Sequence, residues 1–267
     1  MKLDPTAHAT GVDLIALDEV DSTNAQALRY GEAGIRGPLW VTAQTQTAGR
    51  GRRARSWISE PGNLYASLLL TDPAPLTQVA QCSFVAALAV REAVCDAAPA
   101  LAARLSLKWP NDVLCDGRKL AGILIEGEGT KPLMVAIGVG INCRHHPRDA
   151  AYPATDLGAQ GAEVTAVEAF AALSRRMAQR LALWNGGARF ADIRAAWLAH
   201  GPAPGAGLRV RLADGVVTGR FETIDEGGNL VLTEAGGVRR KITAGDVFPL
   251  ALAGADAGLN PASRRPA

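Results

Sequence analysis

The sequence predicts an α+β fold with a small all-β module at its C-terminal end, and two observations support this prediction. Over the first 200 residues, short strand patterns alternate with longer apolar helical patterns. After them, Gly201-Pro202-Ala203-Pro204-Gly205 is typical of a linker, and about five short strands separated by glycine turns follow it. We therefore expect a mixed-sheet domain over 1–200, a β-module over 201–253 and a disordered tail over 254–267.

The individual elements follow from apolar periodicity and turn chemistry. Thr23, followed three residues later by Gln26, matches a capping box and predicts the start of a helix. Apolar residues predict buried helices over Leu76–Val94, from Val167 to Trp184 and from Phe190 to Trp197. The predicted strands are Leu39–Gln44, Asn63–Thr71, Leu105–Trp109, Asp112–Cys115, Lys119–Glu126 and Leu133–Cys143, then Leu208–Leu212, Gly215–Ile224, Leu230–Thr233 and Val238–Ile242.

Composition narrows the class of protein. The net charge of +2 over 267 residues gives no bulk attraction to DNA or to an anionic membrane. The first residues lack the apolar run of a signal peptide, and we expect no membrane span. The four cysteines are far apart in the sequence, which favours reduced thiols in a cytoplasmic protein.

The most informative segment is the arginine–glycine loop, which we define as Gly49–Trp57. No acidic residue occurs between Glu32 and Glu60, so the four arginines of this loop have no acidic neighbour in the sequence. Its two glycines allow close approach of the backbone to a ligand, and arginine suits phosphate and carboxylate. An arginine cluster also fits a nucleic-acid patch. The near-neutral chain favours a small buried anion.

Two further segments place polar groups at strand ends. The stretch Lys108-Trp109-Pro110-Asn111-Asp112 turns after a strand, and Lys119 opens the next strand. Only five of the 28 basic residues are lysine, and two of those five are Lys108 and Lys119. The segment Gly138–Asn142 is an apolar strand with two glycines that ends in an amide. An ordinary hairpin with an exposed lysine remains an alternative interpretation.

Taken together and in this order, Ser22-Thr23-Asn24, the arginine–glycine loop, Lys108–Asp112, Lys119–Glu126 and Gly138–Asn142 resemble the biotin–protein ligase family. The resemblance implies a biotinyl/lipoyl-ligase catalytic domain, related to class II synthetases, and an SH3-like C-terminal barrel. It implies activation of biotin by ATP as biotinyl-5'-AMP, with Mg²⁺, and transfer to a lysine of a biotin carboxyl carrier protein. About twenty residues precede Ser22, so we expect the short form without a DNA-binding domain.

The resemblance also implies roles for individual residues. We expect Lys119 to bridge the biotin carboxylate and the α-phosphate, Arg52 to hold phosphate oxygens, and Asp112 to accept the proton of the carrier lysine. A purely structural turn is the alternative for Asp112. The implied biotin contacts are Ser22, Thr23, Asn24, Gln46, Arg50, Gly51, Arg52 and Lys119, and the implied ATP or adenylate contacts are Arg52, Arg55, Trp57, Asn111, Lys119 and Asn142. The chain has Ala54 where the family usually has glycine.

Two other functions compete with this interpretation. A lipoate or octanoate ligase or transferase shares the fold and the acyl-to-lysine logic, but the His-Asp pair of those families is missing after the loop. A nucleic-acid-binding or structural module would use the loop as a basic patch. His145-His146 has no suitably spaced further ligands, so we expect a surface loop there and no protein-bound metal. A homodimer is left open.

Overall fold

The computed structural model describes residues 1–150 and 152–250, and the chain divides into two compact units, Met1–Gly201 and Pro202–Ala267. The tail predicted over 254–267 lies outside the described residues. The first unit is a sheet with helices on both faces, and the second contains a separate antiparallel sheet. The predicted α+β class is confirmed.

Within its described residues, the first unit contains a seven-stranded mixed sheet in the order β1-β2-β3-β7-β6-β5-β4. Strands β1 and β2 are parallel, and every other neighbouring pair is antiparallel. Strands β3, β7 and β6 therefore lie at the centre of the sheet. The strands are β1 Asp13–Val20, β2 Leu39–Gln46, β3 Leu64–Thr71, β4 Leu105–Lys108, β5 Asp112–Cys115, β6 Arg118–Glu128 and β7 Met134–Ile141.

Helices cover both faces of this sheet. On one face, Ala27 and Leu28 pack against Val41, Leu69 and Ala136 of the central strands. On the other face, the rings of Trp40 and Phe170 meet edge to face at 5.4 Å. The α-helices are α1 Pro5–His8, α2 Thr23–Glu32, α3 Cys82–Ala97, α4 Ala166–Trp184 and α5 Phe190–Leu198.

The observed burial differs from the predicted pattern in β3, because helices cover both faces of the sheet, and in α4. The apolar residues Leu64, Ala66, Leu68 and Leu70 alternate along the sequence and predict a strand with one buried face, but every residue from Leu64 to Leu69 is buried, whereas Leu70 is half-exposed. In α4, Val167 is 50% exposed although the helical pattern placed it in the core. The strand β1 was not predicted, because its side chains are only partly buried and carry acidic residues.

The stretch Leu76–Ala97, which contains α3, is the one segment of the described chain that is long and apolar enough to cross a membrane. Length and composition therefore make it an exception to the expectation that no stretch approaches a membrane span. Most of the stretch is buried in the protein, and Phe84 contacts Phe190 and Trp197 of α5 edge to face. Its apolar character accounts for its place in the core.

Helix α4 begins with a complete capping box, which yields a stability prediction. Thr165 Oγ1 accepts the Glu168 backbone N–H, and the Glu168 carboxylate accepts the Thr165 backbone N–H at 2.9 Å. We expect Thr165→Ala to lower the free energy of unfolding by about 1 kcal/mol, because the Glu168 N–H loses its acceptor and the Glu168 carboxylate loses the Thr165 hydroxyl. Urea unfolding measures the change. Thr165→Ser keeps the acceptor and should cost much less, and equal losses in the two variants would contradict the assignment.

The second unit contains a five-stranded antiparallel sheet in its described residues, in the order β11-β10-β9-β8-β12. Phe221, Ile224, Leu230 and Leu232 of the central strands form its buried core together with Val210. The strands are β8 Gly207–Arg211, β9 Val216–Ile224, β10 Leu230–Thr233, β11 Arg239–Ile242 and β12 Asp246–Pro249.

Candidate active site

The N-terminus of α2 places three buried polar residues beside the sheet. Ser22 is the N-cap, and its Oγ accepts the Ala25 N–H. The predicted capping box between Thr23 and Gln26 does not form, because Gln46 Oε1 accepts the Thr23 N–H at 2.9 Å instead. The helix starts at the predicted residue, but its cap lies one residue earlier. The hydrogen bond to Gln46 connects Thr23, a predicted biotin contact, to the last residue of β2.

Asn24 occupies a polar cluster over the centre of the sheet. Its Oδ1 accepts the Ser67 hydroxyl at 2.6 Å, and its Nδ2 donates to Glu126 Oε2 at 2.8 Å. A Cβ at Gly138 would lie 2.4 Å from Asn24 Oδ1. The glycine in β7 therefore makes the space for this side chain.

Two glycines on neighbouring strands form a floor on the same face of the sheet. Gly122 of β6 pairs directly with Gly140 of β7, and Gly138 shares this face because side chains alternate along a strand. The Trp57 indole lies on this floor: a Cβ at Gly140 would be 2.6 Å from Trp57 Cε2, and one at Gly122 would be 2.8 Å from Cζ3. We define Gly122 and Gly140 as the glycine floor. Its close packing brings the end of the arginine–glycine loop onto the central strands.

The loop folds back on itself. The Gly51 N–H donates to the Arg55 carbonyl at 2.7 Å, and the Trp57 N–H donates to the Gly49 carbonyl at 2.8 Å. At Gly49, a Cβ would lie 2.4 Å from the Trp57 carbonyl oxygen, so this position requires glycine. At Ala54, φ is +56°, a conformation that costs a non-glycine residue about 1 kcal/mol. The left-handed conformation is thus present although the usual glycine is not.

Asp112, the first residue of β5, forms ion pairs with two lysines. Lys119 Nζ lies 2.7 Å from Asp112 Oδ1, and Lys108 Nζ lies 2.8 Å from Oδ2. Lys119 also lies over the Trp57 ring, 5.2 Å from its centroid. Lys119 therefore meets the arginine–glycine loop at the glycine floor.

A β-bulge sets the direction of Lys119. Lys119 and Gly122 are three residues apart, so regular alternation would place them on opposite faces. In the pairing of β5 with β6, Val113 faces Ala121 whereas Leu114 faces Lys119, and Leu120 is the extra residue. The bulge turns Lys119 onto the face of Gly122, where a Cβ would lie 3.2 Å from Lys119 Nζ.

The environment of Asp112 opposes the base role predicted for it. Burial alone would raise the pKa of this carboxyl, but the ammonium groups of Lys119 and Lys108 outweigh burial and hold its pKa well below its usual range. A carboxylate with so low a pKa is a weak proton acceptor at neutral pH. In this arrangement Asp112 instead fixes the two lysines. Its contribution to stability is present at neutral pH and is lost only as the pH falls below the usual range of an aspartate.

A segment that the sequence interpretation missed holds the backbone of Lys119. The Lys119 N–H donates to the Pro153 carbonyl at 2.7 Å, and the Thr155 N–H donates to the Lys119 carbonyl at 2.9 Å. The buried amide of Asn142, predicted as an adenylate contact, donates to the Thr155 carbonyl at 2.9 Å. Asn142 thus fixes the segment that fixes Lys119. No motif marks 152–157, and only its pairing with β6 reveals it.

The remaining predicted residues take different places. Arg52 Nη1 lies 3.4 Å from Asn111 Oδ1, so the loop reaches the turn after β4. Arg50 instead pairs with Glu126, with Nη2 and Oε2 3.1 Å apart. Arg55 is exposed. His146, outside the site, pairs with Asp156.

The Arg50–Glu126 pair predicts a change in loop mobility. Glu126→Gln should raise the rate of tryptic cleavage within the loop severalfold, because Arg50 loses the carboxylate that anchors it to β6. Mass spectrometry of the fragments measures the rate. Glu128→Gln, two residues along the same strand and exposed, is the matched control. Equal rates in the two variants would show that the pair does not hold the loop.

Together, these features define a class of protein: a mixed-sheet α+β protein in which lysine and arginine side chains gather above a glycine floor. Residues 17–142 match the family model described as the biotin/lipoate A/B protein ligase family. Residues 207–248 match the biotin protein ligase C-terminal domain.

Relatives agree along most of the chain. The biotin–[acetyl-CoA-carboxylase] ligase of Paracoccus denitrificans is 39% identical over 242 residues, which cover 87% of this chain and 98% of that protein. The ligase of the same name from Mycobacterium tuberculosis is 34% identical, with 90% and 89% covered. The biotin protein ligase of Aquifex aeolicus in complex with biotin and ATP superposes with a TM-score of 0.75 at 28% identity, covering 89% of this chain and 99% of that one. The chain belongs to the biotin–protein ligase family.

Proposed function

We propose that this chain joins biotin to ATP as biotinyl-5'-AMP and then transfers biotin to a lysine of a biotin carboxyl carrier protein. The convergence of Lys119 with the arginine–glycine loop at the glycine floor is the observation that supports this most directly. The Aquifex aeolicus ligase, solved in complex with biotin and ATP, supports these two molecules as the substrates.

In the first step, a biotin carboxylate oxygen attacks the α-phosphorus of ATP, and pyrophosphate leaves. Two unit charges 4 Å apart repel by about 4 kcal/mol at an effective dielectric of 20, so cations must offset the approach of carboxylate to phosphate. Lys119 would bridge these anions where charge builds in the transition state. Arg52 and Arg55 would hold phosphate oxygens, as the resemblance implies.

Magnesium enters with the nucleotide in this proposal. Among the described residues, no group of three or more His, Cys, Asp or Glu side chains could hold a metal, and the lysines occupy both oxygens of Asp112. Mg²⁺ usually binds through substrate phosphates and keeps several waters. The ion would therefore neutralise the departing pyrophosphate, held mainly by ATP.

In this proposal, the polar cluster at the start of α2 would bind biotin, and the adenylate would lie at the glycine floor. Biotin's ureido ring needs donors and acceptors, which Ser22, Thr23, Asn24 and Gln46 offer, with the backbone of Arg50 and Gly51 beside them. Trp57, Asn111 and Asn142 lie on the Lys119 side, where the adenylate would form. The loop would close over the reactive anhydride and exclude water.

In the second step, a neutral carrier lysine attacks the acyl carbon of the adenylate. AMP leaves with the electron pair of the broken bond, and the proton lost by the attacking amine passes to solvent. The carrier protein, as macromolecular partner, supplies the accepting amine. DNA has no part in this proposal.

Two measurements test the proposal. Purified protein with ATP and Mg²⁺ should release pyrophosphate with biotin and not with lipoate or octanoate. With a biotin carboxyl carrier domain added, the carrier mass should rise by one biotinyl group. Release with lipoate or octanoate alone would favour the related acyl ligase. Salt-sensitive binding of duplex DNA together with indifference to biotin would favour the nucleic-acid module.

A further inference from the structure

Lys108 has no part in the chemistry described so far, although it makes the second ion pair of Asp112. Each oxygen of the carboxylate binds a different lysine, at 2.7 Å for Lys119 and 2.8 Å for Lys108. Two ammonium groups thus share one carboxylate. The two ammonium groups carry one more positive charge than is required to neutralise the single carboxylate.

The two lysines differ in how firmly they are held. The Lys108 side chain is 11% exposed, and its Nζ lies over the Tyr152 ring at 4.1 Å from the centroid. The Lys119 side chain is 26% exposed and faces the indole at the end of the arginine–glycine loop. Lys119 is therefore the lysine that can leave Asp112 for a ligand, while Lys108 stays packed.

Such a movement would leave a buried charge. Asp112 is only 6% exposed, and a buried carboxylate without a positively charged partner strongly raises the free energy of the protein. Without a second partner, Asp112 would retain Lys119 and weaken its contact with the substrates. A second lysine on the other oxygen removes this penalty.

We infer that Lys108 is a positioning residue that keeps the Asp112 carboxylate compensated while Lys119 turns to the anionic substrates. The inference rests on the proposed function, because it assumes that Lys119 bridges carboxylate and α-phosphate. Lys108 then acts through Lys119 and need not touch the ligand. One of the two lysines can therefore leave the carboxylate while the other remains paired with it.

Adenylate formation without a carrier tests the inference in the full chain, by pyrophosphate release. Lys108→Met should lower kcat about 10²-fold, because Lys119 is held away from the reacting anions, with KM for biotin changed less than about threefold. Lys108→Arg keeps the positive charge and should restore kcat to within about tenfold of the wild type.

A double variant separates this role from a structural one. In an Asp112→Asn background there is no carboxylate to compensate, so Lys108→Met should cost less than about threefold in kcat. Equal losses in the two backgrounds, full activity of Lys108→Met, or no rescue by arginine would overturn the inference. If methionine prevents folding, as judged by thermal melting, Lys108→Gln replaces it under the same criteria. A wild type that releases no pyrophosphate with biotin would instead refute the proposed function.

Discussion

Replacing Lys119 by methionine is expected to lower the rate of biotin adenylation about 10³-fold and to leave the protein folded. Methionine keeps the length and apolar stem of the side chain but removes the charge proposed to bridge the carboxylate and the α-phosphate. Asp112 keeps its pair with Lys108, 2.8 Å away, so the buried carboxylate retains a partner. Pyrophosphate release under saturating biotin and ATP measures the rate.

The control for this prediction is another lysine of the chain. Lys131 lies in the exposed turn between β6 and β7, far along the strands from the glycine floor. Lys131→Met should retain wild-type adenylation, and both variants should melt within a few degrees of the wild type. An active Lys119→Met protein would remove Lys119 from the reaction.

A methyl group on the glycine floor is expected to impair the same step about 10²-fold. The Cβ of Gly140→Ala would lie 2.6 to 2.7 Å from three atoms of the Trp57 indole, closer than side chains approach. The indole must move, and the end of the arginine–glycine loop moves with it. We expect a lower kcat for adenylation and an altered tryptophan fluorescence spectrum.

Gly127→Ala is the matched control, because Gly127 lies in the neighbouring strand β6. There a Cβ would meet its nearest atom, the Met134 carbonyl oxygen, at an ordinary 3.6 Å. Gly127→Ala should therefore keep normal activity and fluorescence. Equal impairment of the two variants would mean that glycine flexibility, and not the space for the indole, matters at these positions.

The sequence was sufficient for most of the fold, because buried strands and helices leave strong apolar patterns. Asp112–Cys115 and Leu230–Thr233 were predicted with the observed bounds. The strand β1 escaped prediction, because an edge strand with half-exposed, acidic side chains lacks that pattern. Sequence patterns report burial, so an element with little burial gives little signal.

The candidate residues could be selected from the sequence, but their geometry could not be predicted from it. The glycines and lysines stood out by composition and by their order along the chain. Leu120 gave no sign that it would be the extra residue of a bulge, although this bulge turns Lys119 towards the glycine floor. The pairing of Asp112 with both lysines was equally hidden, because contacts between strands depend on register.

Ala54 illustrates a different limit. The family's usual residue at this position is glycine, which adopts a positive φ without strain. In the structure Ala54 takes φ +56°, next to Arg53 at +55°. The loop conformation is imposed by its surroundings, including the pairing of Arg50 with Ser56, and local propensity does not decide it.

The most direct measurement is a crystal structure of the chain with a non-hydrolysable sulfamoyl analogue of biotinyl-5'-AMP. The account predicts that Lys119 Nζ leaves Asp112 and lies within hydrogen-bond distance of the linkage between the acyl and nucleoside parts, with Gly49–Trp57 folded over it. An analogue bound elsewhere, or bound while Lys119 remains on Asp112 and the loop contacts nothing of the linkage, would contradict the account.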